Sequence, residues 1–135
     1  RPGRTDEIVR QLMAKHYRAT RTGLPGNDDA GAMSSWYVWN ALGLYPNAGQ
    51  PYYYIASPVF ARGVIALEGG KTFVVEAPAT SEANRYVTAA TLNGKPLNRA
   101  WITHDELAKG GVLTLTMGAK PSAWATTFVA PPNGQ

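Results

Sequence analysis

Cysteine is absent from the sequence, and histidine occurs only as His16 and His104. Disulfide scaffolds, thiolate metal sites and cysteine nucleophiles are therefore excluded, and too few imidazoles remain for a histidine-rich zinc centre. Long apolar runs are missing as well. No stretch reaches the roughly 18 residues that cross a bilayer as a helix. Charge is sparse, at 16% of residues against an average of about 25% for soluble domains. Disorder is nevertheless not expected, because 44% of the 135 residues are apolar and a chain of this size can bury a real core. The chain opens Arg1-Pro2-Gly3 without an initiator methionine or a signal peptide, and is expected to be a piece of a longer protein.

A net charge of +4 and a pI near 9.5 invite a nucleic-acid reading. The distribution argues against it. Residues up to Tyr45 carry +2 and the remainder another +2, with no cluster in the remainder. The basic residues of the first part (Arg1, Arg4, Arg10, Lys15, Arg18, Arg21) alternate with apolar ones along an expected helix, as on a solvated helix face.

What is abundant is turn chemistry, with 14 glycines and 10 prolines. A first helix is expected from Thr5 to Ala19. Thr5 would cap it, Asp6 and Glu7 would suit its positive end, and Arg18 and Arg21 its negative end. Ile8, Val9, Leu12, Met13 and Tyr17 fall on one face. Gly23-Leu24-Pro25-Gly26 stops it. A second helix is expected from Ala30 to Leu44, and Met33, Trp36, Tyr37, Trp39 and Leu42 make it too apolar for one buried stripe. Two such helices cannot cover each other, so helical partners are expected from outside this chain.

Beyond Tyr45-Pro46 the pattern turns to strands. Tyr52–Ile55, Val64–Leu67 and Lys71–Ala77 are expected strands, the latter two joined through Glu68-Gly69-Gly70. Tyr86–Leu92 and Lys95–Leu97 flank Asn93-Gly94, the strongest short hairpin signal. Thr103 to Glu106 reads as a capping box opening a short helix that closes at Gly110-Gly111. Val112–Met117 is the last clear strand, and the tail packs irregularly through Trp124 before fraying towards Gly134. The expectation is an α+β chain, two helices followed by a small antiparallel β-module of about six strands, divided as helices over 1–45, a connector over 46–56 and a β-region over 57–135.

One dense polar cluster stands out, Gly26-Asn27-Asp28-Asp29, just ahead of the aromatic helix. Carboxylates there are stabilised by the unpaired amides of the helix start. Two readings stay open: plain capping by Asp28 or Asp29 with Asn27 forming the turn, or a general base or hard-cation site. Two acids and an amide are too few for a calcium cage. The aromatic group around Trp36 could stack on sugar rings, although aromatics at helical spacing are more often core. His104 lies in the first turn of the short capped helix without a nucleophile nearby, and is expected to be structural or simply exposed. The paired glycines lack a strand-to-helix phosphate fingerprint.

The run Gly23-Leu24-Pro25-Gly26-Asn27-Asp28-Asp29-Ala30-Gly31-Ala32-Met33-Ser34-Ser35-Trp36-Tyr37-Val38-Trp39 closely resembles glycoside hydrolase family 92, the calcium-dependent, exo-acting α-mannosidases. The likeness continues through Ala41-Leu42-Gly43-Leu44-Tyr45-Pro46 and Ser57-Pro58-Val59-Phe60, and again at Thr91–Pro96 and Trp101–Asp105. The resemblance implies the C-terminal end of such an enzyme: two closing helices of an (α/α)6 barrel, followed by a terminal β-region. It also implies that Asp29 is the general base of an inverting hydrolysis. Asp28 is the alternate acid, and Asn27 and Trp36 are candidate substrate contacts. Asn27 stands where some members carry Asp, and Ala32 where Gln is common. The catalytic acid and most calcium ligands would lie upstream, since Glu68, Glu76, Glu82 and Glu106 all fall beyond the motif. Implied partners are mannose-containing glycans and the rest of the parent chain, and the implied location is secreted, periplasmic or cell-surface. The competing expectations are a non-catalytic carbohydrate-binding β-module and a structural interaction domain.

Overall fold

The computed structural model describes residues 1–132. Helix α1 runs Pro2–His16 and α2 runs Ala32–Leu42, the latter entered through a single 3-10 turn over Asp29–Gly31. The first helix starts three residues earlier than expected. Pro2 sits where a missing N–H costs nothing and its fixed φ suits the helix. Arg1 is therefore the N-cap and Thr5 is not, its hydroxyl instead reaching back to the Arg1 carbonyl. The helix also ends earlier, at His16. Tyr17 is already extended, and Lys15 and His16 rather than Arg18 and Arg21 occupy the last turn.

The buried face of α1 is rotated from the expected stripe. Ile8 and Leu12 are each 40% exposed, whereas Asp6 and Met13 are buried. Residues 6, 10, 13 and 17 share a face at helical spacing, and that face meets the β-region: Asp6 and Arg10 both bond across to it. Helix α2 stops at Gly43, whose φ of 89° needs a glycine and whose place a Cβ would contest with Pro58 at 3.0 Å. Only Asn40 and Ala41 of α2 are fully buried, and Val38 is 53% exposed.

Eight strands follow among the described residues, not about six. Strands β1 (Leu44–Pro46), β2 (Tyr52–Ile55) and β7 (Trp101–Thr103) form a three-stranded antiparallel sheet, and the β1–β2 hairpin occupies most of the expected connector. Strands β3 (Arg62–Ala66), β4 (Thr72–Glu76), β5 (Tyr86–Leu92), β6 (Lys95–Pro96) and β8 (Gly111–Gly118) form a second sheet in the order β3-β4-β8-β5-β6. This sheet is mixed, which corrects the antiparallel expectation: β4 and β8 run parallel from Phe73↔Gly111 to Glu76↔Thr114. A parallel pair needs a long crossover, and here the crossover contains β5, β6, β7 and the short helix α3 (His104–Ala108).

Local signals match the structure closely. Asn93 and Gly94 take φ of 51° and 76° in the tight β5–β6 turn. Thr103 and Glu106 exchange both capping-box bonds. The Trp124 indole donates to the Leu97 carbonyl at 2.7 Å, tying the tail to the β-region; residues 133–135, where fraying was expected, lie outside the described residues. Phe73, Val75, Leu113, Leu115 and Ile102 form the centre of the core, joined by Leu44 from β1 of the three-stranded sheet.

Candidate active site

The loop between α1 and α2 carries the polar cluster. It is drawn tight at Gly23, where a Cβ would lie 1.8 Å from the Arg18 carbonyl oxygen. Its far end turns through two successive left-handed residues, Ala30 (φ 52°) and Gly31 (φ 76°). A non-glycine residue in that region is strained. The turn folds the Asp28 carboxylate back over the start of α2. There Oδ1 accepts from the Met33 and Ser34 amides at 2.8 and 2.9 Å, and Oδ2 accepts from the Ser34 hydroxyl. These bonds, led by those from Ser34, hold the Asp28 carboxyl below the usual carboxylate range. Asp28 thus satisfies orphan amides of the helix.

Asp29 is different. Its side chain is exposed, with no hydrogen bond or ion pair among the described residues. Asn27 is likewise exposed. Trp36 lies one turn into α2, half-buried and stacked on Tyr17 (5.5 Å between centroids, 16° between planes), and Tyr17 also packs against Tyr37 at 5.0 Å. With Pro25, Ala32 and Met33, the Tyr17 and Trp36 rings line an open groove of about 420 Å3 beside the loop. Asn27, Asp28, Asp29 and Trp36 are therefore gathered at one end of α2, with one carboxylate bound to the backbone and its neighbour facing outward.

His104 is exposed; its Nδ1 lies 2.9 Å from the Tyr53 hydroxyl and its ring stacks on Tyr53. Among the described residues no acid or nucleophile is hydrogen-bonded to its ring. Among the described residues no group of three or more His, Cys, Asp or Glu side chains could hold a metal ion. One charged residue has a role other than the expected one: Asp6 lies beyond the first turn of α1 and does not serve its positive end. Asp6 is 2% exposed and accepts from the Val87 amide at 3.0 Å. The available signal was its spacing on one face with Arg10, Met13 and Tyr17.

Comparison with known proteins bears on this loop directly. The model of the glycosyl hydrolase family 92 catalytic domain matches residues 1–119, which include the whole loop and both sheets. The chain belongs to family 92. A protein of Arthroderma benhamiae named as an uncharacterized secreted glycosidase is 40% identical over 129 residues, covering 93% of this chain and 17% of its own. Among solved structures, a family 92 inverting mannosidase of Bacteroides thetaiotaomicron superposes with a TM-score of 0.83 at 40% identity, over 90% of this chain and 17% of that one. A second α-mannosidase of the same bacterium, solved with mannoimidazole, gives 0.81 at 33% identity over 86% of this chain and 15% of its own. The chain thus spans about one-sixth of the length of these relatives, by the shares of 17% and 15%.

Proposed function

We propose that this chain is the C-terminal part of an exo-acting, inverting α-mannosidase, and that it contributes the general-base loop. The observation that carries the reading is the division of labour between adjacent carboxylates. Asp28 has its oxygens committed to amides and a hydroxyl, whereas Asp29 is free to take a proton from water. An inverting glycosidase needs such a base opposite a protonated acid, with room for water between them, about 6.5–9.5 Å apart. The acid, a glutamate in the resemblance, would come from upstream, as would the remaining helices of an (α/α)6 barrel. Trp36 would present a flat apolar face to the sugar, with Asn27 as a polar contact at the rim. Calcium is proposed for the complete enzyme only. The described residues of this chain do not make a metal cluster, and two free oxygen-bearing side chains, on Asn27 and Asp29, do not hold a hard cation alone. Secretion, to the periplasm, cell surface or medium, is proposed from the named relative.

A second reading, a carbohydrate-binding face with no catalytic role, is favoured by one feature. Tyr52, Tyr54 and Trp101 line a groove of about 620 Å3 beside the three-stranded sheet, with the Arg99 guanidinium 4.1 Å from the Trp101 ring centre. A single comparison separates the two. In the complete enzyme, Asp29→Asn should lower turnover by about 100- to 10,000-fold with sugar affinity and melting temperature kept, while Asp28→Asn should lower the melting temperature. The 135-residue chain alone should not cleave an aryl α-mannoside, with or without calcium. Unchanged turnover in Asp29→Asn would remove the base assignment.

A further inference from the structure

We propose that Asp6 and Arg10 form a pH-sensitive latch that fastens α1 to the β-region, closed more tightly when the Asp6 carboxyl carries a proton. The contacts are few and polar. Asp6 Oδ2 accepts from the Val87 amide at 3.0 Å, at the point where a register shift between Val87 and Ala89 interrupts the β5–β8 ladder. One turn along, Arg10 Nη1 donates to the Pro58 carbonyl and Nη2 to the Ser81 carbonyl, both at 2.7 Å. Pro58, Ser81 and Val87 of the β-region are thereby pinned to one helix face.

The two side chains are not an ion pair. Among the described residues no salt bridge joins them, because the guanidinium is spent on carbonyls. Asp6 is thus a buried carboxyl with one amide donor and a cation only at a distance, an arrangement that disfavours the charged form. Burial raises its pKa to about 6, opposed by the Val87 amide and by Arg10. The other charged or titratable groups, Arg85 and Glu82 ahead of β5 and Tyr37 on α2, act on Arg10; β5 turns the Val87 amide towards Asp6. A protonated carboxyl keeps a carbonyl oxygen for that amide, so the hydrogen bond survives while the buried charge disappears.

The docked state therefore binds a proton that the undocked state, near the ordinary value of 3.8, releases. Docking is strongest below about pH 4 and weakens as pH rises through about 6. Hydrogen exchange by mass spectrometry on the full-length protein, corrected for the intrinsic pH dependence of exchange, reads this directly. Protection of the segments 2–16 and 86–92 should fall about tenfold between pH 5 and pH 7. Asp6→Asn retains the acceptor without the charge, and its protection should stay level over the same range. Arg10→Gln removes the distant cation and should move the fall to higher pH. A wild-type protein with level protection would overturn the latch. So would Asp6→Asn with the wild-type fall, or an unmoved midpoint in Arg10→Gln.

Discussion

The β-rich half of the chain holds the main core cluster and the helical half contributes no member of it, although both halves leave some large apolar side chains exposed. Every member of the main core cluster lies at or beyond Leu44, while Ile8, Leu12, Leu24 and Val38 on the helical side are all more than one-third exposed. The β-region closes around itself with Phe73 and Leu113 fully buried. The helices attach to it through Asp6, Arg10 and Met13 of α1 and Trp39 and Ala41 of α2, while Ile8, Leu12 and Val38 stay open to solvent. A stripe of apolar residues on a helix states that something covers it, without stating that the cover is in the same chain.

That contrast can be tested most severely by truncating one side chain in each half. Phe73→Ala removes a ring with no exposure and should cost about 3–5 kcal/mol, whereas Val38→Ala should change stability in the 135-residue chain by less than about 0.5 kcal/mol. Urea denaturation of both variants measures the difference, and similar losses would show that α2 is part of one cooperative core. Amide exchange in the same chain sharpens the comparison. Val112 to Met117, at the centre of the mixed sheet, should be at least about tenfold better protected than Met33 to Leu42. Equal protection in a monomer would mean that the helices and sheets open together. The smallest effect belongs to the capping box. Thr103→Ala removes the oxygen that accepts from the Glu106 amide at 3.1 Å and should cost about 1 kcal/mol, read as a modest shift in melting temperature.

The parts legible in the sequence were those decided within a few residues. Asn93-Gly94 dictates its own hairpin, and Thr103 with Glu106 dictates its own helix start, because turn and cap geometries are local. Strands β1 and β7 were missed because three residues carry no periodicity, and Pro46 in β1 reads as a stop. The parallel pairing of β4 with β8 was missed because it joins residues nearly 40 positions apart, Phe73 with Gly111 and Glu76 with Thr114, and nothing local encodes it. The burial of Asp6 was hidden for the same reason: its partner is the Val87 amide, 81 residues away. At the site, the residues alone located the loop and left capping and catalysis open, while the family resemblance singled out Asp29. Which aspartate caps the helix is set by the left-handed turn at Ala30 and Gly31, which returns Asp28 to the helix and leaves Asp29 outside.

Strand β8 lies between β4 and β5, although it is made after both of them. During synthesis, β3 and β4 can pair as a hairpin as soon as they emerge, and β5 can pair with β6, but these two pieces have no shared edge. The slot between them stays open until residue 118 has cleared the exit tunnel. Until then, Phe73 and Val75 face no partner strand on that side, and the growing chain exposes two unpaired strand edges of the kind that favour misassociation. Completion of the five-stranded sheet is thus timed by the arrival of its middle.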